Sequence, residues 1–216
     1  MDSKRIKEEI VRAGVRMLES GLTVGTWGNI SICDRDNNRV YLTPSGMPYN
    51  TLTVDDIPVV DMSGNVVEGN RKPTIEKDLH LGIYRAYKDV NAVLHTHPLW
   101  SMIFATIGKS IPLICDEAAQ FLKGEVRCTK YALPGSKEIA DECVKALKGS
   151  NACLLSSHGS VITASNLSEA FSIATVLEYT AELYYKVLSM GEKPQTISEE
   201  NIKYMYEFVH TKYGQK

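Results

Sequence analysis

Asn91-Ala92-Val93-Leu94-His95-Thr96-His97-Pro98 is the stretch on which the reading of this chain turns. The apolar run Ala92-Val93-Leu94 predicts a buried β-strand, where residues i and i+2 face the same side. His95 and His97 then aim two imidazoles at one point in space. A zinc-type ion needs that geometry: neutral imidazoles about 2.0–2.1 Å from the metal in a roughly tetrahedral shell. The other histidines are His80, His158 and His210.

Outward from this strand, helical and strand-like segments interleave. Ile6, Ile10, Met17 and Leu18 recur at helical spacing and predict a first helix ending near Gly21. Short strands follow at Ile30-Ser31-Ile32, Val40-Tyr41-Leu42 and Ile57-Pro58-Val59-Val60, with turns at Pro44-Ser45-Gly46 and Ser63-Gly64-Asn65. Helices are expected over about 75–87, 99–107, 137–147 and 167–190, the third with Ser136 as N-cap, and a last one from near Ser198. Two further strands are expected, at Val126–Ala132 and Ala152–Leu155. This order predicts one three-layer α/β/α domain over residues 1–216. The hairpin-like early strands favour a mainly antiparallel or mixed central sheet.

A chain of 216 residues with net charge −2 suits one sizeable core and gives no footprint for nucleic acid or an acidic membrane. Its apolar stretches are far shorter than the roughly 20 residues that cross a bilayer, and the N-terminus lacks a signal-peptide core. The cytoplasm is the expected location. Five cysteines without CxxC spacing argue against a disulfide framework or a cysteine-rich zinc site.

Several polar motifs fall at strand ends or helix starts, where side chains and unpaired N–H groups gather at a sheet's rim. His158-Gly159 ends a buried strand and offers a third imidazole, enough for a His₃ site with an open position. Glu76 stands at a helix start, either as a carboxylate that the helix N-terminus favours or as a fourth ligand or general base. His80 lies one turn later on the same face, either as a further ligand or in a helix-surface or supporting role. Gly28-Asn29 and Ser45-Gly46 have the form of anion-binding loops, and Thr74 adds a hydroxyl near a helix start.

These residues sit in GTWGNIS (25–31), LTPSGMPY (42–49), EGNRKPTIE (68–76), NAVLHTHP (91–98), YALPGS (131–136), LLSSHG (154–159) and KYG (212–214). The ordered set resembles the class II aldolase/adducin family, and within it the L-fuculose-1-phosphate aldolase branch. The resemblance implies a zinc enzyme that cleaves a short ketose 1-phosphate to dihydroxyacetone phosphate and a small aldehyde such as lactaldehyde. It also implies a homotetramer with sites between subunits. Carried over by position, His95, His97 and His158 would hold the metal, and Glu76 would be the acid/base and a ligand in the empty site. Gly28, Asn29, Ser45, Gly46 and Thr74 would bind phosphate, and Tyr213 would reach a neighbouring subunit's site. Manganese or cobalt would also suit the imidazoles.

The chain departs from that branch in three places. Thr74-Ile75 replaces a pair of serines, so one hydroxyl is missing. Asp116 stands where the branch places a catalytic tyrosine, and its ordinary pKa is about 3.9 against about 10. Pro134 and His210 replace aromatic residues. These differences keep open an epimerase or dehydratase on the same scaffold; a non-catalytic adducin-like domain would not need the histidines and Glu76.

Overall fold

The computed structural model describes residues 2–214. Its centre is the predicted strand Ala92–Thr96 (β5), buried along its whole length. Burial on both faces explains the unbroken apolar run. Before it come β1 (Asn29–Asp34), β2 (Arg39–Leu42), β3 (Val59–Val60) and β4 (Val66–Glu68); after it come β6 (Ala152–Leu155) and β7 (Gly159–Ala164). They form one seven-stranded sheet in the order β4-β3-β2-β1-β5-β7-β6, and every pair is antiparallel.

Period-two alternation divides the core between the two faces. Leu94, Ile30, Ile32, Leu154 and Ile162 pack in one cluster with residues of α1 (Ser3–Glu19), α3 (Leu99–Thr106), α4 (Asp116–Leu122) and α6 (Leu167–Ser189). Val93, Cys153, Leu155 and Val161 pack in a second cluster with α2 (Lys77–Ala86) and α5 (Lys137–Ala146). The three layers are those expected. A final helix, α7 (Glu199–Thr211), packs on α4. Among the described residues no helix is long and apolar enough to cross a membrane.

Two expectations need correction, and one strand was not expected. Val126–Ala132 is not a strand. It makes isolated bridges from Val126 to Ile111 and from Cys128 to Leu154, then leaves the free edge of β6 before a ladder can form. The segment after His158 is a strand, β7, which fills the place between β5 and β6. The helix expected from residue 75 begins at Lys77, and Glu76 is its N-cap residue. Ser136 caps α5 as expected, its side chain accepting from the Ile139 N–H.

Candidate active site

The site forms where β1, β5 and β7 end beside the start of α2. Asn29 lies directly opposite His95 in the β1–β5 pairing, and Thr96 lies opposite Ser160 in β5–β7. Two glycines permit this close approach. Gly28 has φ +75°, and a Cβ there would strike the His95 carbonyl. A Cβ on Gly159 would come within 2.5 Å of the Thr96 carbonyl oxygen and 3.0 Å of the His95 ring. His158 sits in the tight β6–β7 turn, after Ser157 at φ +55°.

His95, His97 and His158 converge. His95 Nε2 is 2.9 Å from His97 Nε2 and 3.3 Å from His158 Nε2. Glu76 Oε2 lies 3.2 Å from His95 Nε2, and Glu76 Oε1 lies 3.7 Å from His158 Nε2. His95 Nδ1 is 3.0 Å from the Ser160 carbonyl oxygen. Nδ1 must donate there, so Nε2 is the nitrogen aimed at the cluster and free to serve as a ligand.

Burial, reinforced by the neighbouring imidazoles His95 and His158, pushes His97 down to about 3. Burial and His95 push His158 down to about 4. For Glu76, burial alone would raise the carboxyl, but the histidines and the Asn29 hydrogen bond outweigh it and hold it below its usual value. At neutral pH, His97 and His158 are thus neutral beside an ionised Glu76. Glu76 Oε1 and His158 Nδ1 are buried without a hydrogen-bond partner.

Facing lone pairs and an orphaned carboxylate oxygen fit a divalent cation. For a tetrahedral centre, ligand atoms about 2.0–2.1 Å from the metal stand ~3.4 Å apart. The observed 2.9 and 3.3 Å spacings come near that without rearrangement of the backbone.

A cleft of about 260 Å³ opens in front of Glu76, His97 and His158. Gly28, Asn29, Ser45, Gly46 and Thr74 line its wall. Two of their N–H groups are already committed. The Ser45 N–H is used by the Lys72 carbonyl and the Thr74 N–H by the Thr43 carbonyl. Donation to an anion therefore falls to the N–H groups of Gly28 and Gly46 and the hydroxyls of Ser45 and Thr74.

The Asn29 amide is also committed: Nδ2 donates to Glu76 Oε2 at 2.8 Å, and Oδ1 lies 2.5 Å from His80 Nε2. Its side chain thus joins Glu76 to His80. His80 is fully buried and lies outside the triad.

Ile75 and Pro134 line the cleft, and so does Trp27, whose ring centroid lies 6.1 Å from that of His97. The sequence reading passed over Trp27, although the motif GTWGN carries it. Ser31 and Tyr84, buried behind Asn29, were also missed; the two-residue spacing of Asn29 and Ser31 on one strand was the available signal. Asp116 begins α4 and Tyr213 follows α7, and neither lines the cleft of its own chain. His210 likewise lies elsewhere, on α7, with Nε2 3.5 Å from Glu169.

The family described as Class II Aldolase and Adducin N-terminal domain matches residues 8–185. A 5-deoxy-D-ribulose 1-phosphate aldolase of Bacillus thuringiensis is 38% identical over 91% of this chain and 92% of its own length. An L-fuculose phosphate aldolase of Escherichia coli is 31% identical over 99% of this chain and 98% of its own. A solved L-fuculose 1-phosphate aldolase superposes with a TM-score of 0.92 at 34% identity, covering 95% of this chain and 96% of the other. The chain belongs to the class II aldolase/adducin family, among its metal-dependent, fuculose-phosphate-aldolase-like lyases.

Proposed function

We propose that this enzyme cleaves a short ketose 1-phosphate between C3 and C4, giving dihydroxyacetone phosphate and a small aldehyde such as lactaldehyde or acetaldehyde. One observation carries the reading: an ionised, partly unpartnered carboxylate, Glu76, stands against three convergent imidazoles at the mouth of a glycine-lined cleft. Relatives named for two different ketose 1-phosphates support the substrate class.

His95, His97 and His158 would hold Zn2+, with Mn2+ or Co2+ as alternatives the same imidazoles accept. When bound, the ion supplies Lewis-acid stabilisation of negative charge on the oxygens of the departing three-carbon fragment. Glu76 exchanges the proton on that fragment, within reach because its carboxylate borders both the imidazoles and the cleft. Gly28, Gly46, Ser45 and Thr74 grip the phosphate, a part that does not react and so fixes the orientation of the part that does. Ile75 replaces a hydroxyl donor with an apolar wall, 64% exposed, beside this grip.

Asp116 and Tyr213, which do not line the cleft of their own chain, act on the aldehyde half from a neighbouring subunit in a homotetramer. The enzyme works in the cytoplasm as a single catalytic domain spanning residues 1–216.

The test is to load the protein with Zn2+, Mn2+ or Co2+ and offer fuculose, rhamnulose, ribulose and 5-deoxyribulose 1-phosphates, with products followed by NMR. Dihydroxyacetone phosphate and one aldehyde are expected from at least one substrate. An intact epimer or a dehydrated ketone in place of two fragments would overturn aldol cleavage.

A further inference from the structure

Behind Glu76 runs a line of buried polar side chains that the cleft chemistry leaves unused. His80 and Tyr84 lie one turn apart on α2, and Asn29 and Ser31 share one face of β1. Tyr84 Oη is 2.6 Å from Ser31 Oγ, and Ser31 Oγ is 2.6 Å from His80 Nδ1. The line continues from His80 Nε2 to Asn29 Oδ1 at 2.5 Å and from Asn29 Nδ2 to Glu76 Oε2 at 2.8 Å. Tyr84, Ser31 and His80 are 0% exposed, and Asn29 and Glu76 are 4% exposed.

Only one order of donors satisfies this line while Glu76 is ionised. A carboxylate accepts, so Asn29 must present Nδ2 to it. Asn29 Oδ1 then faces His80, whose Nε2 must carry the ring proton. Burial keeps His80 neutral, pushed down to about 3 even though Glu76 opposes the shift. Its Nδ1 is therefore a bare acceptor and takes the hydroxyl proton of Ser31. Ser31 has no second proton to give, so the Tyr84 hydroxyl donates to it. Every donor points towards Glu76. The result at the carboxylate is asymmetric: Oε2 takes the end of the line, whereas Oε1 has no hydrogen-bond partner.

We propose that His80, acting through Asn29, is the positioning residue of Glu76. The line holds Oε2 as a fixed acceptor and reserves Oε1 as the oxygen that exchanges the substrate's proton. This inference rests on the reading of Glu76 as the proton carrier. Without the His80 donor, Asn29 Oδ1 loses its partner and the amide is held at one end only. The Nδ2 donor to Oε2 is then no longer fixed, and Oε1 swings off its line to the cleft. A proton transfer depends on placement within hydrogen-bond reach, so the loss falls on the chemical step.

The test compares His80→Leu with His80→Gln, whose amide nitrogen restores a donor near Nε2, in metal-loaded protein. His80→Leu should lower kcat about 10- to 100-fold, as losses of supporting partners do. KM should stay within about twofold, because ground-state binding is untouched. In metal-free protein, the Glu76 carboxyl followed by carbon-13 NMR should titrate at higher pH in His80→Leu than in wild type, and His80→Gln should recover most of both properties. A folded His80→Leu with wild-type kcat overturns the proposal. So do Leu and Gln variants that are equally slow with an unshifted Glu76 carboxyl.

If His80→Leu fails to fold, Ser31→Ala carries the test. It keeps the ring but removes the donor that holds Nδ1, so kcat should fall while imidazole NMR still shows the Nε2–H ring that Asn29 Oδ1 requires. An Nδ1–H ring or an unchanged kcat overturns the proposal. Should wild type release no dihydroxyacetone phosphate from any substrate, the carboxyl titration and tautomer still judge the line of donors. Its failure is then distinguishable from failure of the aldolase reading.

Discussion

His80 and the triad of His95, His97 and His158 serve one carboxylate from opposite sides, yet the fold treats their nitrogens differently. Both ring nitrogens of His80 have partners, Ser31 and Asn29, in a fully buried line. In the triad the Nε2 atoms face one another, and His158 Nδ1 and Glu76 Oε1 are left without partners. An unsatisfied buried polar group costs about 1–3 kcal/mol, whereas a satisfied one does not carry that penalty. The fold therefore concentrates its unmet hydrogen-bonding capacity at the cleft, where a cation and substrate can use it. Behind Glu76 it leaves none. The lesson is that a buried histidine's function is read from its empty valences, not from its burial.

The sharpest way to break this comparison is Glu76→Gln. The amide retains a carbonyl oxygen for Asn29 but cannot carry the proton, so turnover should fall by about 10²- to 10⁴-fold. Dihydroxyacetone phosphate release measures it, and turnover close to wild type would remove Glu76 from the chemistry. Next in size, His97→Ala should abolish stoichiometric metal binding, while His80→Gln should bind metal as wild type does. Metal analysis after dialysis checks the pair, and equal loss in both would merge the two groups of histidines into one.

The smallest effect is on stability against pH. His80 has a folded pKa of about 3 against an ordinary value of about 6.5. Between these values the unfolded chain binds more protons, so folding stability rises with pH and is lost as pH falls through that window. Urea denaturation of metal-free protein at pH 7 and pH 5 should show a larger acid loss for wild type than for His80→Gln. Equal losses would deny His80 its neutral, desolvated state.

Much of this arrangement was legible in the sequence because it is local. The period-two spacing of His95 and His97 beside an apolar run announced both β5 and two of the three imidazoles. His158-Gly159 announced the third through a turn that requires glycine. Other features depend on distant partners. Ser160-Val161-Ile162-Thr163 carries strand-forming β-branched residues, but its place between β5 and β6 depends on partners distant in sequence. Val126–Ala132 alternates like a strand but finds only the margin of β6. The Asn29 motif reads as a phosphate loop, while its amide is turned by His80, a residue on another element. Asp116 and Tyr213 lie away from the cleft of their own chain, so one chain's geometry gives them no role there.

The β5–β7 pairing also has a consequence for folding. His95 and His158 are 63 residues apart in the chain, and their imidazoles meet only once that long loop has closed. Closing that loop costs conformational entropy before the pairing gives anything back. A cation held by both imidazoles ties together two segments distant in the chain and so stabilises the folded form over the unfolded one. Metal supply would then set how much of the protein stays folded.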